Sequence, residues 1–130
     1  MKKLIVLLVL SSVAVSGCGL KGHWQSREID PTVARDEYRP FGTVSPGGPF
    51  SRADVYLNED QSYTADVYYG NEAVRSNGTW QKKDFKNEIT FLPTTGSAYT
   101  YKYELKDFDS TLVLTREVQG TDVKWILKRQ

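Results

Sequence analysis

The chain has 130 residues, a formal net charge of +1 and 25% charged side chains, enough for one domain with a real core and not for two. Its basic residues are dispersed rather than clustered, which gives no footing to a nucleic-acid surface. One cysteine, Cys18, excludes an internal disulfide, and one histidine, His23, leaves too few nitrogen and sulfur ligands for a zinc site.

Lys2 and Lys3 open the chain, residues 4–10 are unbroken apolar, and small or apolar residues continue through Val15. This is the charged start and short apolar core of a secretory signal. A membrane-spanning helix needs about 20 apolar residues, and this run stops after roughly a dozen. Val15-Ser16-Gly17-Cys18 then resembles the lipobox of bacterial lipoproteins: an aliphatic residue, two small ones and a cysteine. The resemblance implies cleavage before Cys18, a diacylglyceryl thioether on its sulfur and an acyl chain on the new amino terminus. Each buried methylene contributes about 0.8 kcal/mol, so two or more chains hold a protein on a membrane almost permanently. By the sorting tendency of the lipoproteins it resembles, glycine rather than aspartate at residue 19 implies the outer membrane in a Gram-negative cell envelope. The chain thus divides into a signal (residues 1–17), a lipidated tether (residues 18–21) and one domain (residues 22–130). Losing Lys2 and Lys3 takes the formal charge from +1 to −1.

The tether is short, since three extended residues reach about 10 Å. Residues 23–29 read as a first strand. Residues 30–51 break the pattern with Pro31, Pro40, Pro46, Gly47, Gly48 and Pro49. Asp30 as N-cap and Pro31 at the first position predict one or two helical turns over residues 32–38. Residues 39–50 read as a long irregular loop, of a length that is usually functional.

Hairpins follow. Ala53, Val55 and Leu57 alternate with polar neighbours before a turn at 58–61, and Tyr63, Ala65, Val67 and Tyr69 do the same before Gly70-Asn71. Val74, Gly78 and Trp80 share a face of the next strand, which residues 82–86 reverse. Residues 89–92 form a short strand. Tyr99, Tyr101, Tyr103 and Leu105 line another, residues 107–110 turn, and Leu112, Leu114 and Val118 precede a last strand carrying Val123, Trp125 and Leu127. Eight consecutive strands on short turns, without βαβ spacing, predict an all-β fold. An eight-stranded antiparallel up-and-down barrel hides both the apolar face and the sheet edges; a two-sheet sandwich is the competing arrangement.

At this point the chain resembles the lipocalins. Gly22-His23-Trp24 matches the Gly-x-Trp motif before their first strand. Lys106-Asp107-Phe108 falls between the sixth and seventh strands, where lipocalins often carry Thr-Asp-Tyr, keeping the aspartate and an aromatic. Arg129, after the eighth strand, lies where the family has an arginine that stacks on the motif tryptophan. The resemblance implies that Gly22, Trp24 and Arg129 close the barrel's base, with Trp24 and Arg129 in a cation–π contact worth about 0.5–2 kcal/mol. The closed end would then face the membrane. The chain departs from the family in lacking its disulfide and a helix after the eighth strand.

Little in the sequence speaks for catalysis. His23 sits beside a packing residue and the anchor, which leaves no Ser-His-Asp arrangement, and no glycine-rich phosphate loop is present. Asp54, Glu59, Asp60 and Asp66 read as solvated turn or outer-face residues. What stands out is an interior aromatic set, Tyr63, Tyr69, Trp80, Tyr99, Tyr101, Tyr103 and Trp125. Such rings either fill a small barrel or, because buried tyrosine hydroxyls want partners, line a cavity; eight strands are wide enough for one small ligand. The expectation is a non-enzymatic, membrane-anchored lipoprotein that takes a small apolar or amphipathic ligand and needs no cofactor or metal. The alternative is a protein-interaction module, an envelope assembly factor or enzyme inhibitor working through the 38–50 loop.

Overall fold

The computed structural model describes residues 19–36 and 39–130. The expected signal, Cys18 and Tyr38 of the loop lie outside the described residues. The fold is all-β: β1 (Gly22–Asp30), β2 (Phe50–Leu57), β3 (Ser62–Tyr69), β4 (Glu72–Lys83), β5 (Glu88–Pro93), β6 (Tyr99–Lys106), β7 (Thr111–Val118) and β8 (Thr121–Arg129). Each strand pairs antiparallel with the next, and β8 returns to β1, closing a lipocalin-like up-and-down barrel of eight strands. The sandwich alternative is excluded by the β1–β8 ladder, in which Trp24 faces Arg129 and Ile29 faces Trp125.

Alternation along each strand builds the interior. Ala53, Val55 and Leu57 on β2 point inward, as do Tyr63, Ala65, Val67 and Tyr69 on β3, Ile89 and Phe91 on β5, and Val123, Trp125 and Leu127 on β8. Burying each large apolar side chain contributes about 1.5–3 kcal/mol, and no disulfide is needed to hold the ring. Close strand approach has a local cause at Gly78, which pairs with Pro93. A Cβ there would run into the Leu92 carbonyl and Pro93 Cα, so only glycine fits.

The structure redraws the first loop. The helical turns are 3-10 in type, at Thr32–Asp36 and Pro40–Gly42. Asp30 ends β1 rather than capping a helix, and the first turn is tied by the Ala34 amide donating to the Pro31 carbonyl at 3.0 Å. β2 starts at Phe50, earlier than the pattern predicts. Phe50 is fully buried, and a register shift between Phe50 and Arg52 breaks the alternation that would have revealed the strand. β4 likewise runs on to Lys83, through residues read as a turn.

Chain direction sets two distinct ends. The start of β1, the β2–β3, β4–β5 and β6–β7 turns and the end of β8 lie at one end, the base. The 31–49 segment and the β3–β4, β5–β6 and β7–β8 connections lie at the other, the mouth.

Candidate functional site

The base is buckled shut. Trp24 is fully buried and its indole N–H donates to the Leu20 carbonyl at 2.9 Å. The Arg129 guanidinium lies 4.2 Å from the Trp24 ring centroid. Its fork donates to the Lys21 carbonyl at 2.7 Å, the Gly19 carbonyl at 2.6 Å and the Asp109 carbonyl at 2.9 Å. One side chain therefore ties the incoming chain, the last strand and the β6–β7 turn together, a task that a planar five-donor group performs and an ammonium does not. Gly22 makes room for it: its φ is +130°, and a Cβ would come within 2.9 Å of Arg129 Nη1.

The interior aromatics pack on one another and on a ring from the loop. Phe41, in the Pro40–Gly42 turn, is buried and sits 5.2 Å from Tyr63, 4.8 Å from Phe91 and 5.4 Å from Trp125, centroid to centroid. Tyr101 continues the cluster, 5.9 Å from Phe91 and 6.3 Å from Trp125. Two tyrosine hydroxyls are satisfied by the protein itself. Tyr63 OH lies 2.9 Å from Ser76 Oγ. Thr43 Oγ1 donates to the Pro40 carbonyl at 2.8 Å, so at 2.6 Å from Tyr69 OH it acts as the acceptor. Burial pushes both phenols above their ordinary pKa, partly offset by these partners. Trp80 is buried, with its N–H on the Asn58 carbonyl at 3.2 Å, whereas Tyr99 and Tyr103 are half-buried at the edge of the core.

A groove of about 650 Å³ opens at the mouth instead, between the first 3-10 turn and the β7–β8 hairpin. That size lies within the range of small-molecule sites, about 300–1,000 Å³. Pro31, Val33, Ala34, Val118 and Val123 supply apolar lining, and Arg39, Arg116, Glu117, Gln119 and Thr121 the polar share. None of the seven predicted aromatics lines it, but two support it. Arg39 lies over the Tyr69 ring at 5.3 Å and Arg116 over the Tyr99 ring at 5.0 Å. Stacking of this kind holds a long side chain in place at the rim. A Cβ on Gly42 would collide with the Tyr99 hydroxyl, so the loop, Tyr99 and Arg116 are in successive contact. Sequence reasoning missed these residues because the groove joins segments some eighty positions apart. The available signal was Val118, an apolar residue at a hairpin tip.

On the outer wall, His23 stacks on Tyr56 at 4.2 Å, and its Nε2 lies 3.0 Å from Asp54 Oδ1, to which Gln25 Nε2 also donates at 3.0 Å. Asp54 is thus not the solvated residue that its alternation suggested; only 15% of its side chain is exposed. Burial alone would raise its pKa, but the hydrogen bonds from Gln25 and His23 and the nearby His23 and Arg52 charges outweigh it and hold the carboxyl below its ordinary value. Asp66 is paired too, with Arg75 donating at 2.9 and 3.2 Å across the β3–β4 ladder. Among the described residues no three His, Cys, Asp or Glu side chains converge as a metal-ligand set.

No protein-family model matches the chain, and no curated protein matches it. Its reading rests on the barrel and the groove.

Proposed function

We propose that this protein is a lipid-anchored envelope lipoprotein that binds a small amphipathic molecule at the mouth of its barrel, without catalysis. The observation that carries the reading is the groove's make-up: an apolar bed of Ala34, Val118 and Val123 beside Arg39 and Arg116, each steadied over a tyrosine. An apolar stem would remove the valines from water, at about 25 cal/mol per Å². A polar or anionic head would meet the Arg116 guanidinium. Tyr63, Tyr101 and Trp125 serve this reading as the packed support beneath the site, since Phe41 occupies the space among them. Cys18 carries the lipid, and the short tether holds the base toward the membrane with the groove facing away.

The test is native mass spectrometry of the protein purified from membranes, for wild type and Arg116→Glu. A small molecule retained by wild type and lost from the variant supports the proposal; equal retention, or none in either, refutes it. The same spectra read the mass of the acylated amino terminus.

A protein-interaction role draws support from one observation. Pro40, Phe41 and Thr43 are buried, which pins the loop and presents Val44, 78% exposed, beside Pro46-Gly47-Gly48-Pro49. Val44→Asp leaves the groove intact, so capture of an envelope protein lost in this variant alone would favour that reading.

A further inference from the structure

The base of the barrel carries two phenylalanines with no share in its closure. Phe85, in the turn Asp84–Lys86, is 103% exposed, and Phe108, in the β6–β7 turn, is 105% exposed. Single exposed apolar residues are ordinary on protein surfaces. These two differ in where they stand and how one of them is held. Both occupy turns at the end where the chain enters β1. Asp107, Phe108 and Asp109 all have left-handed backbones, with φ of 53°, 55° and 64°. Three such residues in a row, none of them glycine, are costly, and their conformation is kept by anchors on either side. The Ser110 hydroxyl donates to the Asp107 carbonyl at 2.7 Å, and Arg129 Nε donates to the Asp109 carbonyl at 2.9 Å. The strain thus goes into standing Phe108 out from the base, on the same arginine that grips the Gly19 and Lys21 carbonyls.

The chain preceding this end limits what can lie beneath it. Leu20 is buried, so Gly19 alone separates the folded barrel from Cys18. An acyl group on that cysteine leaves no slack with which to lift the base off a lipid surface. We infer that Phe85 and Phe108 insert into the bilayer surface as two fixed points beside the acyl anchor, turning a flexible tether into a defined seat. This rests on the lipid-anchored reading of Cys18. Two apolar points and one covalent anchor define a plane, so the barrel stands with its mouth outward rather than lying on its side. Asp107 and Asp109 flank Phe108, whereas Lys83 and Lys86 lie beside Phe85, so the contact draws on apolar burial rather than on one sign of surface charge.

The test uses the native tryptophans as a silent background, because Trp24, Trp80 and Trp125 are 0%, 4% and 0% exposed. Acylated wild type, Phe85→Trp, Phe108→Trp and, as a mouth-end control outside the groove, Val44→Trp are reconstituted in phosphatidylcholine vesicles with or without brominated acyl chains. The turn positions are open to solvent, and circular dichroism verifies that each variant folds. Bromine is expected to quench the added emission of the Phe85→Trp and Phe108→Trp variants about twofold or more, with no change for Val44→Trp. Co-flotation with the vesicles reads the anchor separately. Protein that floats, but whose base tryptophans are quenched no more than the control, overturns this inference alone. Protein that carries no acyl group and does not float overturns the anchored reading and this inference with it.

Discussion

Replacing Phe41 with alanine is expected to remove about 3 kcal/mol of stability, although the residue belongs to a loop. The magnitude follows from its surroundings. The ring is 4% exposed and touches Tyr63, Phe91 and Trp125. Burial of a phenylalanine contributes about 1.5–3 kcal/mol, edge-on aromatic pairs add about 0.5–1.5 kcal/mol each, and buried Phe→Ala changes cost about 3–5 kcal/mol. A loop collapses into a vacated space more readily than a strand, which selects the low end of that range. The backbone adds a second and sharper expectation, because φ at Phe41 is 56°. Alanine keeps the Cβ that this conformation penalises, while glycine removes it, so Phe41→Gly should be more stable than Phe41→Ala by about 1 kcal/mol, against the usual order. Urea unfolding followed by circular dichroism and by tryptophan emission reads both, with Trp125 reporting locally. A loss below about 1 kcal/mol for Phe41→Ala, with unchanged emission, would refute the reasoning. The ring would then be a detachable lid and the barrel beneath it self-sufficient.

Arg129→Lys should cost about 2 kcal/mol by urea unfolding, because lysine replaces neither the three-carbonyl fork nor the stack on Trp24; an unchanged midpoint would count against the buckle. Asp54 titrates below its ordinary value, so its stabilisation is complete above the unfolded-state pKa of 3.8 and is lost as pH falls through the folded value. Asp54→Asn should therefore lower the neutral plateau, by about 1 kcal/mol after discounting for solvent, and flatten the acid limb of a melting-temperature profile. Absorbance titration at alkaline pH should show the phenols of Tyr63 and Tyr69 ionising above the ordinary value of 10.0 and only as the barrel opens. Gly78→Ala should unfold or strongly destabilise the domain, since the Leu92 carbonyl stands where its methyl must go.

Period-two alternation made β3 and β8 plain, because each buries one face against a core and shows the other to water. The Gly-x-Trp start and Arg129 meet at the base because strand count and chain direction force the first and last strands together. Phe50 was unreadable, since a bulge resets the alternation beside it. Phe41 was unreadable for a different reason: flanked by Pro40 and Gly42, it looks like loop, and only the size of the hole between Tyr63 and Trp125 makes it core. The tyrosines were legible as inward residues, but whether inward rings meet each other or a ligand is decided by volume, which no pattern encodes. The groove depends on Arg39 and Arg116 approaching through the fold, and periodicity carries no information about such meetings. Asp54 shows the converse failure, an outward position covered by its neighbours His23 and Gln25.

The ladder between β1 and β8 also governs assembly. A ribosome delivers Trp24 long before the nine residues of β8 that must lie beside it. Until those arrive, seven strands form an open ribbon with two raw margins, the geometry most prone to pairing with a stranger. Such distant pairing is slow to find. The ring closes only when β8 is complete, so premature termination within it should yield aggregates rather than a weakened barrel.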